Sequence, residues 1–133
     1  MSLAKGFTTK GIVAMSGVHV THSGEAQPYS PPHHSGVTAR RYQGRQAGGG
    51  SPALVSTSTF TPTASAESTP TTYDTIYLIL EGQLELSTDG HTETLGAGDS
   101  VFLPAGTVRS LHNHATTDAR LVVVAVPPAE AAN

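Results

Sequence analysis

Three groups of side chains in this sequence have the types and spacing to do chemistry. His112 and His114 are separated by one residue. On a β-strand that spacing turns both imidazoles to one face, as a pair of transition-metal ligands would require. The same parity turns Arg109, Leu111 and Asn113 to the opposite face. If that face is the interior, Arg109 cannot shed its charge and needs an anion or strong acceptors. Two partners are open to it: an internal carboxylate such as Asp74, or a ligand carboxylate or phosphate gripped bidentately. Thr75 and Tyr77 share one face of their own strand and bring two hydroxyls. The candidate ligand-binding set is therefore Arg109, Thr75, Tyr77, Asp74 and Asn113. For proton transfer, the candidate bases are His112 and His34 and the candidate acids Tyr77 and Tyr73. His33 and His34 are adjacent, so a regular strand would point them apart.

These groups need strands to hold them. Helical periodicity is scarce, and Gly or Pro interrupts most windows. "GIVAM" and "GVHVTH" read as two N-terminal strands or one bent strand. Gly24–Gly36 is a proline-rich connection, placed to cover a barrel mouth or to cross to a partner. Val37–Gly44 and Ala53–Phe60 read as strands. Arg40 and Tyr42 share one face of the former and Arg41 takes the other, with surface placement the expectation. Thr61–Thr72 is polar, proline-punctuated and loop-like, with room for part of an edge strand. Thr75–Gly82 is a continuous apolar run, expected to be buried on both faces. Asp89-Gly90 separates two alternating segments and predicts a hairpin, since glycine tolerates positive φ. Three further strands follow in "DSVFLP", "TVRSLHN" and "ARLVVVAVP", and the tail 128–133 is expected to fray.

Composition excludes several classes. The chain has 133 residues, 37% hydrophobic and 13% charged, with a formal net charge of −3. That length suits one domain, and the low charge with many Ser, Thr and Gly suits an all-β domain rich in turns. No Lys/Arg block offers a phosphate-neutralising surface, so nucleic acid is not an expected partner. No apolar run has membrane-spanning length and no signal-peptide segment is visible, so a cytoplasmic protein is expected. The absence of cysteine excludes disulfides, thiolate catalysis and iron–sulfur clusters.

Three segments together resemble the cupin superfamily: "YLILEGQLEL" with its Asp-Gly turn, "TLGAGDSVFLPAGT", and "ARLVVVAVP". Gly98, Pro104, Gly106 and Asn113 match the second cupin motif, and Gly82 matches the glycine that ends the first. The resemblance implies a double-stranded β-helix, a jelly-roll barrel, with 1–36 as N-terminal strands and connection and 37–127 as the barrel. It also implies where a cupin metal would be ligated. Counting from Gly82, those positions hold Thr69 and Thr71 (or Ser68 and Pro70), Thr75 and Arg109. Hydroxyls are poor ligands for divalent transition metals, and a guanidinium repels them. No metal cofactor is therefore expected, with His112 and His114 as the alternative for a relocated site.

Fold does not dictate function. The expected function is metal-independent binding of a small polar or anionic molecule in the barrel, by a homodimer. The alternatives are a metal-independent isomerase, epimerase or lyase, and a metal-dependent oxygenase with unusual ligands. A structural role in a larger assembly, with "GIVAMSGVHV" as an exchanged strand, is a further reading.

Overall fold

A computed structural model describes residues 7–9, 12–15 and 17–129. Among the described residues twelve strands follow one another: β1 (Phe7–Thr9), β2 (Ile12–Met15), β3 (Val18–Thr21), β4 (Gln27–Tyr29), β5 (His34–Gln43), β6 (Leu54–Pro70), β7 (Asp74–Glu81), β8 (Gln83–Thr88), β9 (His91–Gly96), β10 (Ser100–Leu103), β11 (Val108–His112) and β12 (Ala119–Val126). Strands β1–β3 form a small antiparallel sheet, in which Ile12–Met15 pairs with Val18–Thr21. The other nine form one antiparallel sheet in the order β9-β8-β11-β6-β12-β7-β10, with β5 on β6 and β4 on β5. The sheet wraps into a jelly-roll barrel around Phe60, Ile79, Leu84, Leu86, Leu111 and Leu121. Of the expected tail, 130–133 lie outside the described residues.

Local chemistry sets the turns. Thr88 pairs with His91 across Asp89-Gly90, whose φ values of 53° and 72° are those of a tight hairpin turn. Gly82 links β7 to β8 at φ 76°. A Cβ there would collide with the Asp118 carbonyl oxygen and approach the Ala119 Cα to 2.9 Å. Gly82→Ala combines left-handed strain with a backbone clash and is expected to cost about 2–4 kcal/mol, read by urea denaturation. A loss below about 0.5 kcal/mol would mean that the close approach at this turn is not rigid.

Two sequence expectations need correction. The first is Thr61–Thr72, which is strand almost throughout. β6 runs 17 residues and turns a corner near Thr63, a non-glycine at φ 69°. Before the corner it pairs with β12, and beyond it with β11. Its inward residues after the corner are Ala64 and Ala66, both buried. Such small side chains fill the narrow space without producing a hydrophobic run. The second is β7, which is buried on one face only. Thr75, Tyr77 and Ile79 point inward, whereas Ile76, Leu78 and Leu80 are exposed on the outside beside Phe102 of β10.

Candidate functional site

Four strands bring polar groups together at one end of the barrel. Arg109 comes from β11, Thr69 from β6, Tyr77 from β7 and His34 from the start of β5. Arg109 Nε donates to the Tyr77 hydroxyl at 2.8 Å. Its Nη1 donates to Thr69 Oγ1 and to the Glu67 carbonyl, both at 3.2 Å. All three acceptors are neutral. Among the described residues no carboxylate forms an ion pair with Arg109, and Nη2 has no acceptor. The guanidinium thus keeps its charge and one two-hydrogen end free, while the two-point grip expected for a carboxylate is spent on Tyr77 and Thr69.

His34 is the site residue that sequence reasoning placed least well. Its Nδ1 lies 2.8 Å from the Pro32 carbonyl, which can only accept, so Nδ1 carries the proton. In the neutral ring the Nε2 lone pair is therefore free. Burial pushes the His34 pKa down from the ordinary 6.5; Arg109 and His33 push the same way, against the Pro32 hydrogen bond and Glu67. Folding thus favours the neutral ring. That costs nothing above the ordinary imidazole value, but destabilises the fold as pH falls from 6.5 towards the lowered native value, where the unfolded chain binds more protons. We expect the native chain to lose more stability than His34→Gln across that window in parallel urea titrations. Equal slopes would show that His34 titrates as it does in the unfolded chain.

Two connected cavities meet at these residues. An inner one of about 250 Å³ lies beneath Tyr29, Pro31 and Pro32 and is lined by Ser58, Phe60, Leu111, Leu121 and Val123. An outer one of about 530 Å³ is lined by His33, Thr69, Thr71, Thr72, Tyr73 and Thr75. Both touch Pro32, His34, Tyr77, Arg109 and Val123. The proline-rich connection therefore covers the barrel mouth in this chain. Arg41 lies 3.8 Å over the Tyr29 ring from behind, and Arg40 donates to the Ala26 carbonyl, so neither arginine lines a cavity. A further concavity, about 740 Å³, is a groove beside Phe102, where edge strands β9 and β10 are not bonded to each other. It contains no charged side chain held in the barrel interior, so the cavities at Arg109 are the better site.

The candidate ligand-binding residues separate into two groups. Arg109, Tyr77 and Thr75 line the cavities; Thr75 Oγ1 donates to the Tyr73 carbonyl at 2.7 Å and can still accept. Asp74 does not belong to the site. It lies on the outward face of β7, and its carboxylate accepts from the Ala105 amide at 2.9 Å, which rules out the expected ion pair with Arg109. Asn113 faces inward but is fully buried and fully bonded. Its Nδ2 donates to the Phe60 and Thr117 carbonyls and its Oδ1 accepts from the Ala115 amide, each at 2.9 Å. It ties down the β6 corner and has nothing left for a ligand.

His112 and His114 lie on the outer face, as their parity demands. Their ring centroids lie 4.0 Å apart with the planes tilted by 42°, and His114 Nε2 lies 2.9 Å from Glu85 Oε1. Among the described residues no group of three or more His, Asp or Glu is arranged to hold a metal ion. None of the described helices is long and apolar enough to cross a membrane.

An antiparallel jelly roll with a capped, polar-lined interior defines a cupin-type barrel. The chain matches the Cupin domain family over residues 56–125, and it belongs to that family. It is 40% identical over 114 residues to a Mycobacterium tuberculosis protein named a beta-D-galactosidase, a match that covers 85% of this chain and 98% of the relative. The polyketide cyclase RemF of Streptomyces resistomycificus shares the fold at 21% identity and a TM-score of 0.69, over 79% of this chain and 76% of that one. A predicted oxalate decarboxylase of Thermotoga maritima does so at 24% identity and a TM-score of 0.67, over 80% and 97%. The donor set does not fit the metal that many cupins carry. Thr71 and Thr75 offer only neutral hydroxyls, whose hydrogens go to the Pro104 and Tyr73 carbonyls at 2.9 and 2.7 Å, while the fourth position is a guanidinium.

Proposed function

We propose that the barrel binds a small hydroxylated or anionic molecule without a metal, and that Arg109 anchors it. The observation that carries this reading is a permanent cation inside the barrel whose partners are all neutral and whose Nη2 end is free. Such a group gains most from an oxygen acceptor supplied by a ligand. Tyr77 supports the same reading: its oxygen accepts from Arg109, which leaves its own hydrogen to donate. The name of the M. tuberculosis relative makes a galactoside the first ligand class to try. The active form we propose is a homodimer, supported by the exposed apolar outer face of Ile76, Leu78, Leu80 and Phe102.

A second reading rests on His34. An unprotonated Nε2, a Tyr77 hydroxyl and an adjacent guanidinium form a base, an acid and a charge stabiliser, enough for metal-independent proton transfer. Glycoside hydrolysis by the usual pair of carboxylates has no support here, since no Asp or Glu lines either cavity. A turnover would have to use the His34/Tyr77 pair instead.

A thermal-shift panel of hexoses, galactosides and small carboxylates tests the binding reading. A true ligand at a hundredfold excess over its Kd stabilises the fold by about 2.7 kcal/mol, several degrees in Tm. A panel that moves nothing at 10 mM would contradict the reading.

A further inference from the structure

The residues that the two cavities do not share differ in chemistry. Beyond the shared residues the inner one is lined by Pro31, Phe60, Leu111 and Leu121, with Ser58 and Tyr29 as its polar residues; the Tyr29 hydroxyl donates to Ser56 Oγ. Apolar space of about 150 Å³ is enough for a benzene ring, and this cavity is about 250 Å³. The outer one, about 530 Å³, is lined by threonine hydroxyls and the Tyr73 phenol. The groups with unused hydrogen-bonding capacity stand on the boundary: Arg109 Nη2, the Tyr77 hydroxyl hydrogen and His34 Nε2. A single compact ligand would leave one of the cavities filled with water.

We infer that the ligand is a conjugate of two parts, a sugar-sized polyol in the outer cavity joined to a compact apolar group in the inner one. The atom that links them lies against Arg109, Tyr77 and His34. Away from the shared boundary the inner cavity favours an apolar group, because Phe60, Leu111 and Leu121 offer a hydrated one no partners. The outer cavity accepts hydroxyls, with Thr75 Oγ1 as an acceptor and the Thr72 and Tyr73 hydroxyls as donors. This inference rests on the barrel-binding reading and adds the class of ligand to it.

The test is calorimetric titration of the full chain with three probes: a phenyl β-D-hexoside, the matching free hexose, and phenol. The hexose panel includes glucose and galactose. We expect one phenyl hexoside to bind at least about tenfold tighter than either of its parts, the gain expected from burying a phenyl ring. Ser58→Phe places a ring of its own inside the inner cavity at a strand position, and it is expected to remove that gain, since the outer lining that receives the hexose is not altered. A hexoside no tighter than its hexose, or a gain that survives in a folded S58F, would overturn the two-part inference and leave barrel binding standing. Binding of neither part nor conjugate would overturn the two-part inference, and the carboxylates of the thermal-shift panel then decide barrel binding. If S58F does not fold, the three-probe comparison on the native chain decides alone.

Discussion

Arg109→Met is expected to weaken ligand binding by about a hundredfold and to leave the melting temperature unchanged or raised. The binding loss follows from the removal of a charge-assisted hydrogen bond, worth about 1.5–3 kcal/mol. The stability outcome follows from the surroundings of the guanidinium. Among the described residues it has only the Tyr77 hydroxyl, the Thr69 hydroxyl and the Glu67 carbonyl as acceptors, and none of their carboxylates pairs with it. Replacing a poorly compensated charge by an apolar side chain of similar length is often neutral or stabilising. Methionine also fits the apolar stretch beside Leu111 and Val123. Calorimetry gives the affinity and a thermal melt the stability. A variant that melts well below the native chain would assign Arg109 a structural role. Arg109→Lys separates the two contributions, since it keeps the charge but cannot reach Tyr77 and Thr69 together.

Asn113→Ala is expected to be the most destabilising substitution in the barrel. It removes three hydrogen bonds from a side chain with no solvent exposure. The Phe60 and Thr117 carbonyls and the Ala115 amide would lose their side-chain partner inside protein, at about 1–3 kcal/mol each where no water can replace it. The sum is about 3–9 kcal/mol, roughly 10–35 °C in Tm for a domain of this size. The site feels this indirectly. Asn113 also bonds through its backbone to Thr63 and Ala64, at 3.0 and 2.9 Å, and so fixes the corner from which β6 carries Thr69 to Arg109. Asn113→Asp should recover little, because it aims a carboxylate at two carbonyl oxygens. A loss below about 1 kcal/mol in urea denaturation would contradict the role of Asn113 at this corner.

Much of the barrel was legible in the sequence because its inward residues are large. Leu84 and Leu86 alternate with polar residues, and Asp89-Gly90 marks its own turn, whereas the inward Tyr77 and Ile79 alternate with apolar residues and so gave the strand but not its inward face. Parity likewise separated Arg109 from His112 and His114. The polar half of β6 was not legible, since its inward alanines carry no periodic signal. His34 was hidden for another reason: its strand begins at that residue, directly after Pro31, Pro32 and His33, where composition speaks only of a turn. The signal available was the proline pair itself, which holds a carbonyl where the next imidazole can reach it. Asp74 and Asn113 had the right residue types. Their neighbours decide otherwise, because a strand end turns Asp74 to the Ala105 amide and a corner uses every polar atom of Asn113.

The central claim is that the ligand lies in the barrel, at Arg109, Tyr77 and His34. Ligand-induced amide and imidazole chemical-shift mapping on isotope-labelled protein tests it most directly. The account predicts the largest changes at His34, Tyr77, Arg109 and Val123, which border both cavities. Changes confined to His91, Glu93, Ser100 and Phe102, in the groove between β9 and β10, would contradict it.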